Sequence, residues 1–338
     1  MLARWRSFTV SPERFRSLAM LSVGALFVVM VTGAIVRLTG SGLGCENWPR
    51  CGDTPFPASG IHSFVEFGNR VVALVAIFVT IAVAIAARRV DGLPRPTRRL
   101  AIAVAVAIAA RRVDGLPRRT TRLAAAVAVC IVAQIPLGGV TVILDLNPYV
   151  VMSHFLLALA TIGLAVLVAL DAHAHARGPS HSSFPRPLGM LSIVLLPAAL
   201  ALIVTGAFVT AAGPHPGASG EEIPRLGNVV DAAHVHAVAT AVFGSVLAVC
   251  VLVLLWRRHE APGELRLALV VIALVGAEIG VGQWQWNRGL PWGVVLLHVA
   301  LASAIWCGLV ALVARLLAAS RARRPAFGRQ AMAADPIP

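Results

Sequence analysis

Hydrophobic and polar positions along the 338 residues alternate on a coarse scale, with long uncharged runs separated by short polar connections. Eight runs stand out, at roughly 17–36, 63–87, 123–144, 149–170, 188–210, 229–256, 266–286 and 291–317. A rise of ~1.5 Å per residue lets about 20 residues cross a hydrocarbon core of ~30 Å, and each run meets that length. The pattern predicts an all-α polytopic membrane protein with eight transmembrane helices. No small-residue cleavage site follows the first run, so it is read as a retained helix rather than a signal peptide.

Two repeats lie on top of this pattern. AVAIAARRVDGLPRPTRRLA at 82–101 recurs as AVAIAARRVDGLPRRTTRLA at 105–124, 23 residues later. The apolar part between the arginine clusters, Leu100–Ala110, has 11 residues. That spans about half of a ~30 Å core, so 82–124 reads as a duplicated cytoplasmic loop and not as a ninth span. The second repeat is deeper. MVTGAIVRLTGSGLG (30–44) is echoed by IVTGAFVTAAGPHPG (203–217), and Pro148 to His154 resembles Pro291 to His298. Glu66-x-x-Asn69 then falls opposite Asp231-x-x-His234. The chain is accordingly divided into two pseudo-symmetric four-helix bundles, 1–170 and 171–320, followed by a tail at 321–338.

Charge orients the spans. The net charge of +14 would suit a nucleic-acid binder, but the arginines gather in alternate connections and in the tails. Arg4, Arg6, Arg14 and Arg16 precede the first span, ten arginines lie in 88–122, and Arg257 and Arg258 follow the sixth. The other connections carry Glu46, Asp53, Asp145, Glu221 and Glu222. This is the positive-inside distribution, which places both termini in the cytoplasm and makes lipid, not nucleic acid, the partner.

Candidate chemistry concentrates in Val36–Arg70, which runs through a Gly-rich turn and two cysteines into a span carrying Glu66, Asn69 and Arg70. An ionisable group at membrane depth is costly and marks function by default. Asn69, His154, His234 and His298 each lie a turn or two inside the outer end of an even-numbered span. Four such positions at matched depth, two per bundle, suit a pair of haem sites, with one imidazole from each of two facing helices. His236 is two residues from His234, points to another face, and is assigned to packing or to support of a ligand. His62 precedes Asn69 by two turns and is a second approach to the same site. His173, His175 and His181 are read as solvated. Glu66 pairs with Arg70 at i+4 or acts on a reacting carbon, taking a proton or directing water. Cys45 and Cys51, in an outer loop, form a disulfide whose role is a cross-link or thiol exchange. Arg37, Arg70, Arg225 and Arg288 lie near the outer boundary, where guanidinium groups grip carboxylates such as haem propionates.

The segments TGAIVRLTGSGLGCENWPRC, Glu66 to Arg70, LGGVTVILDLNPYVVMSHF and GLPWGVVLLH together resemble haem A synthase along nearly the whole chain, apart from the duplication and tails. The resemblance implies an oxidoreductase of the cell membrane of a bacterium. It would oxidise the C8 methyl of haem O to a formyl group by successive hydroxylations, giving haem A for terminal oxidases. Haem B would be the cofactor of the C-terminal bundle and haem O the substrate of the N-terminal one. Carried over, His234 and His298 are the ligands of haem B, His154 a ligand of the substrate iron, and Glu66 the catalytic carboxylate; of the four boundary arginines, position favours Arg37 and Arg70 for the cofactor propionates. The family pattern Glu-x-x-His-Arg reads Glu66-Phe-Gly-Asn69-Arg70 here, so His62 or water is left to complete the substrate iron. The implied partners are a haem O synthase and an electron acceptor, and a homo-oligomer is left open. Two readings compete: a bis-His b-type electron-transfer cytochrome, disfavoured by Asn69 beside Glu66, and a transporter, disfavoured by two halves running in the same sense.

Overall fold

The computed structural model describes residues 9–45, 48–52, 56–57, 60–88, 118–178, 186–218 and 223–322. Eight long apolar helices are found among them: α1 Pro12–Leu38, α2 Ile61–Ala86, α3 Arg118–Ile143, α4 Pro148–Arg177, α5 Arg186–Ala212, α6 Val229–Trp256, α7 Pro262–Asn287 and α8 Trp292–Ala322. All are long and apolar enough to cross a membrane, and the chain is a multi-pass membrane protein. Several helices outrun their hydrophobic runs. α4, for example, continues through His173 and His175 to Arg177, because polar side chains do not oppose helix beyond the hydrocarbon layer. The centre of the tandem repeat, with His181, Glu46, Asp53, Glu221 and Glu222, lies outside the described residues.

Local sequence sets the starts. Ser11 accepts the Arg14 N–H ahead of Pro12, and Asn147 caps α4 ahead of Pro148. Asn228 caps α6 by accepting the Val230 N–H at 2.7 Å. In each case a side-chain oxygen satisfies a backbone donor that the first helical turn leaves open, and in the first two a proline adds a fixed φ.

Packing closes the helices into two rings. α1 touches α2, α2 touches α3, α3 touches α4, and α4 returns to α1; α5 to α8 repeat the cycle. α4 and α8 meet between the rings, with α8 also against α1 and α4 against α5. Trp306 of α8 anchors that seam: its indole N–H donates to the Leu159 carbonyl at 2.8 Å, and its ring fills the notch left by Gly163. At one end Arg177 of α4 approaches Glu13 of α1 at 3.7 Å, and Arg315 of α8 reaches Glu264 of α7 at 2.9 Å. At the other end the connections after α1 and α5 pair with each other. The Gly42 N–H donates to the Gly217 carbonyl at 2.6 Å, with Leu146 beneath both. The α2, α4, α6 and α8 starts, with all the candidate residues, are at this second end.

Candidate functional site

The N-terminal ring builds its site from α2 outward. Glu66 is 5% exposed. Its Oε2 accepts the Cys45 N–H at 2.9 Å and its Oε1 accepts from Arg70 Nη2. The other Arg70 nitrogen, Nη1, donates to the Pro49 and Arg50 carbonyls at 3.1 and 2.8 Å. Cys45 and Cys51 are joined by the expected disulfide, and both are buried. Glu66 and Arg70 therefore clasp the disulfide loop from below. Gly44 permits this approach, because a Cβ there would lie 2.5 Å from the His62 backbone. Arg70 was expected on a propionate; in the structure these donors face Glu66 and loop carbonyls.

One turn beyond Glu66, Asn69 Oδ1 accepts from Thr32 Oγ1 of α1 at 2.7 Å. His154 enters from α4, which is diagonal to α2 in the ring and out of backbone contact with it. Its imidazole packs on Gly138 of α3, and its Nδ1 is buried without a hydrogen-bond partner among the described residues. His62 is exposed and pairs through Nδ1 with Ser41 Oγ at 2.9 Å, on the loop side.

In the C-terminal ring the geometry departs from the sequence expectation. His234 is exposed, as are Asp231, Val235 and Val238, and together they form the outward face of α6. The inward imidazole is His236. Its Nδ1 is 3.1 Å from Thr205 Oγ1 of α5, its ring packs on Gly206, and it lies within electrostatic reach of His298. Thr32 and Gly33 of the first half echo Thr205 and Gly206, so Asn69 corresponds to His236, and Glu66 to Ala233. The expected alignment of Asn69 with His234 was two residues out of register, which on a helix is nearly the opposite face. Heptad spacing carried a signal for this. Two turns beyond Asn69, His154, His236 and His298 lie Ala76, Thr161, Phe243 and Ile305, all buried, whereas two turns beyond His234 lies exposed Ala241.

His298 comes from α8, diagonal to α6 and out of backbone contact with it. Its ring packs on Gly282, and its Nδ1 lies 3.1 Å from Glu278 Oε1 of α7. A cavity of about 420 Å³ opens at the same end of this half, lined by residues that include Pro214, Arg225 and Trp286. Arg37 bridges the halves: Nη2 donates to the Thr210 carbonyl at 2.9 Å, while Nε is buried and unpartnered among the described residues.

The residues present fit haem better than a bare ion. No cluster of three or more His, Cys, Asp or Glu side chains that could hold an ion occurs among the described residues. What occurs instead is a pair of imidazoles on diagonal helices, each seated on a glycine, with buried nitrogen or oxygen atoms left unpartnered around them. That is the arrangement for a flat group held from both faces. In the first half the same frame offers one imidazole, an amide and a carboxylate.

The model of the COX15-CtaA family, described as cytochrome oxidase assembly protein, matches residues 16–62 and 59–310. A heme A synthase of Symbiobacterium thermophilum is 28% identical over 311 residues, 87% of this chain and 92% of that one. One from Halalkalibacterium halodurans is 25% identical over 87% of this chain and 95% of its own length. A third, from Bacillus licheniformis, is 33% identical over 91 residues, 27% of this chain and 30% of that one. With a match running from the first helix into the last, this chain belongs to the haem A synthase family of cytochrome oxidase assembly proteins.

Proposed function

We propose that this protein oxidises the C8 methyl of haem O to a formyl group, with haem O in the N-terminal ring and haem B in the C-terminal ring. The observation that carries the reading is Glu66, a buried carboxylate three residues, or one helical turn, from the equivalent of a ligand site, in the ring that presents a single inward imidazole. Converting methyl to formyl consumes one water and releases four electrons and four protons, so the site must move protons and position water while an acceptor removes electrons. Haem B, when bound, supplies one-electron chemistry toward that acceptor.

The side chains divide this work. His154 holds the substrate iron from the α4 side. Asn69 is a poor iron ligand, and its oxygen is engaged by the Thr32 hydroxyl, so His154 would be the one imidazole holding the substrate in this ring. Glu66 accepts protons at its carboxylate or orients water toward the carbon, and the Cys45 N–H and Arg70 hold it still while it does so. His236 and His298 hold haem B, in place of the expected His234 and His298. Arg37, with an unpartnered Nε at the outer end, supplies charge for a propionate. An electron-transfer cytochrome would need a second imidazole where Asn69 stands. The arginine distribution supports both termini in the cytoplasm of a bacterial cell and the haem sites toward the outer face. Disulfide formation in the first outer loop agrees with an oxidising compartment on that side.

The test is haem extraction from membranes containing this protein and a source of haem O. Wild type yields haem A. Glu66→Ala keeps its bound haem and accumulates haem O, with conversion down by ~10²–10⁴-fold. Wild-type conversion in that variant removes Glu66 from the reaction.

A further inference from the structure

The two rings differ in the polar side chain that lies one turn before each imidazole's glycine seat. Gln134 and Gly138 on α3, with His154 on α4, correspond to Glu278 and Gly282 on α7, with His298 on α8, each pair being 144 residues apart. In both rings the polar residue lies one turn before the glycine that seats the imidazole. Its chemistry is not the same. Gln134 turns away from the ring: Nε2 donates to the His154 backbone carbonyl at 3.3 Å, and Oε1 and His154 Nδ1 are both unpartnered among the described residues. Glu278 turns toward it, placing Oε1 3.1 Å from His298 Nδ1, with a side chain only 13% exposed. The ring N–H is not yet aimed at the oxygen, and neither Nδ1 nor Oε2 has another hydrogen-bond partner among the described residues.

We propose that Glu278 is the positioning residue for His298: it takes the Nδ1–H, fixes the tautomer that leaves Nε2 for iron, and makes this imidazole a stronger donor than His154. The inference rests on haem occupying the C-terminal ring. A carboxylate behind a ligating imidazole raises its basicity and holds its orientation. Greater donation favours the ferric state, so the resident haem is held more tightly and at a lower midpoint potential than it would be without Glu278. Gln134 gives the substrate iron no such support, which suits a haem that must enter and leave.

Potentiometry of the purified holoprotein tests this, following the reduced haem B band in wild type, Glu278→Gln, Glu278→Asp and Gln134→Glu. Glu278→Gln shifts the midpoint upward, Glu278→Asp restores part of the difference, and Gln134→Glu leaves the resident haem where it was. A Glu278→Gln protein with its haem and an unchanged midpoint overturns the proposal. If that variant is isolated without haem, hemin titration decides. Affinity down by ~10–100-fold in Gln and recovered in Asp supports the role, and affinity equal to wild type overturns it. Failure of the underlying haem reading looks different, since wild type itself would then carry no haem B.

Discussion

The two rings share a frame and divide its duties. Each has four helices in the same order, a threonine–glycine pair on its first helix, and a glycine seat for an imidazole on its fourth. Where α6 offers His236, α2 offers Asn69; where α6 has Ala233, α2 has Glu66; where α7 has Glu278, α3 has Gln134. The acid has changed place. In the C-terminal ring it stands beside the His298 imidazole, where it would strengthen the proposed haem ligand. In the N-terminal ring it stands one turn from Asn69 and is tied to the disulfide loop. On the proposed function, one ring retains a haem and the other acts on one.

Substitutions can break this contrast or sharpen it. The largest effect is expected from His236→Ala or His298→Ala, either of which removes the resident haem and its reduced b-type spectrum; retention of the full spectrum would dissolve the pairing. Asn69→His moves the first ring toward the second by adding an imidazole. The substrate iron becomes six-coordinate low-spin by resonance Raman, and conversion slows about tenfold, or ~1.4 kcal/mol of barrier. Thr205→Val removes the hydroxyl at His236 Nδ1 and weakens hemin binding by about tenfold, measured by titration of the apoprotein. His234→Ala, on the outward face of α6, leaves haem content and midpoint potential at wild-type values.

Much of the fold was legible because its driving pattern is coarse. Twenty apolar residues bounded by arginine or a turn identify a span without knowledge of its neighbours, and the structure places a helix over every one of the eight runs. The disulfide was legible for a similar reason, through loop placement and compartment. The register of α6 was not. A membrane helix is apolar on all sides, so the usual inward stripe of hydrophobic residues against an outward polar one is absent. Between His234 and His236, composition favours neither. The distinction comes from Gly206 and Thr205 on a neighbouring helix, and from the buried series Phe243, Leu247, Cys250 and Leu254 that continues inward from His236. The partners of Arg70 were illegible for another reason: its Nη donors are engaged by the Pro49 and Arg50 carbonyls and by Glu66, which only the folded loop brings near.

The direct test of the unequal rings is the axial coordination of both irons in protein purified with haem B and loaded with haem O, read by electron paramagnetic resonance and near-infrared magnetic circular dichroism. The account predicts one bis-imidazole low-spin centre, abolished by His236→Ala and untouched by His234→Ala, and a second centre with a single imidazole. Two bis-imidazole centres, or a resident centre that survives His236→Ala and is lost with His234→Ala, would contradict it.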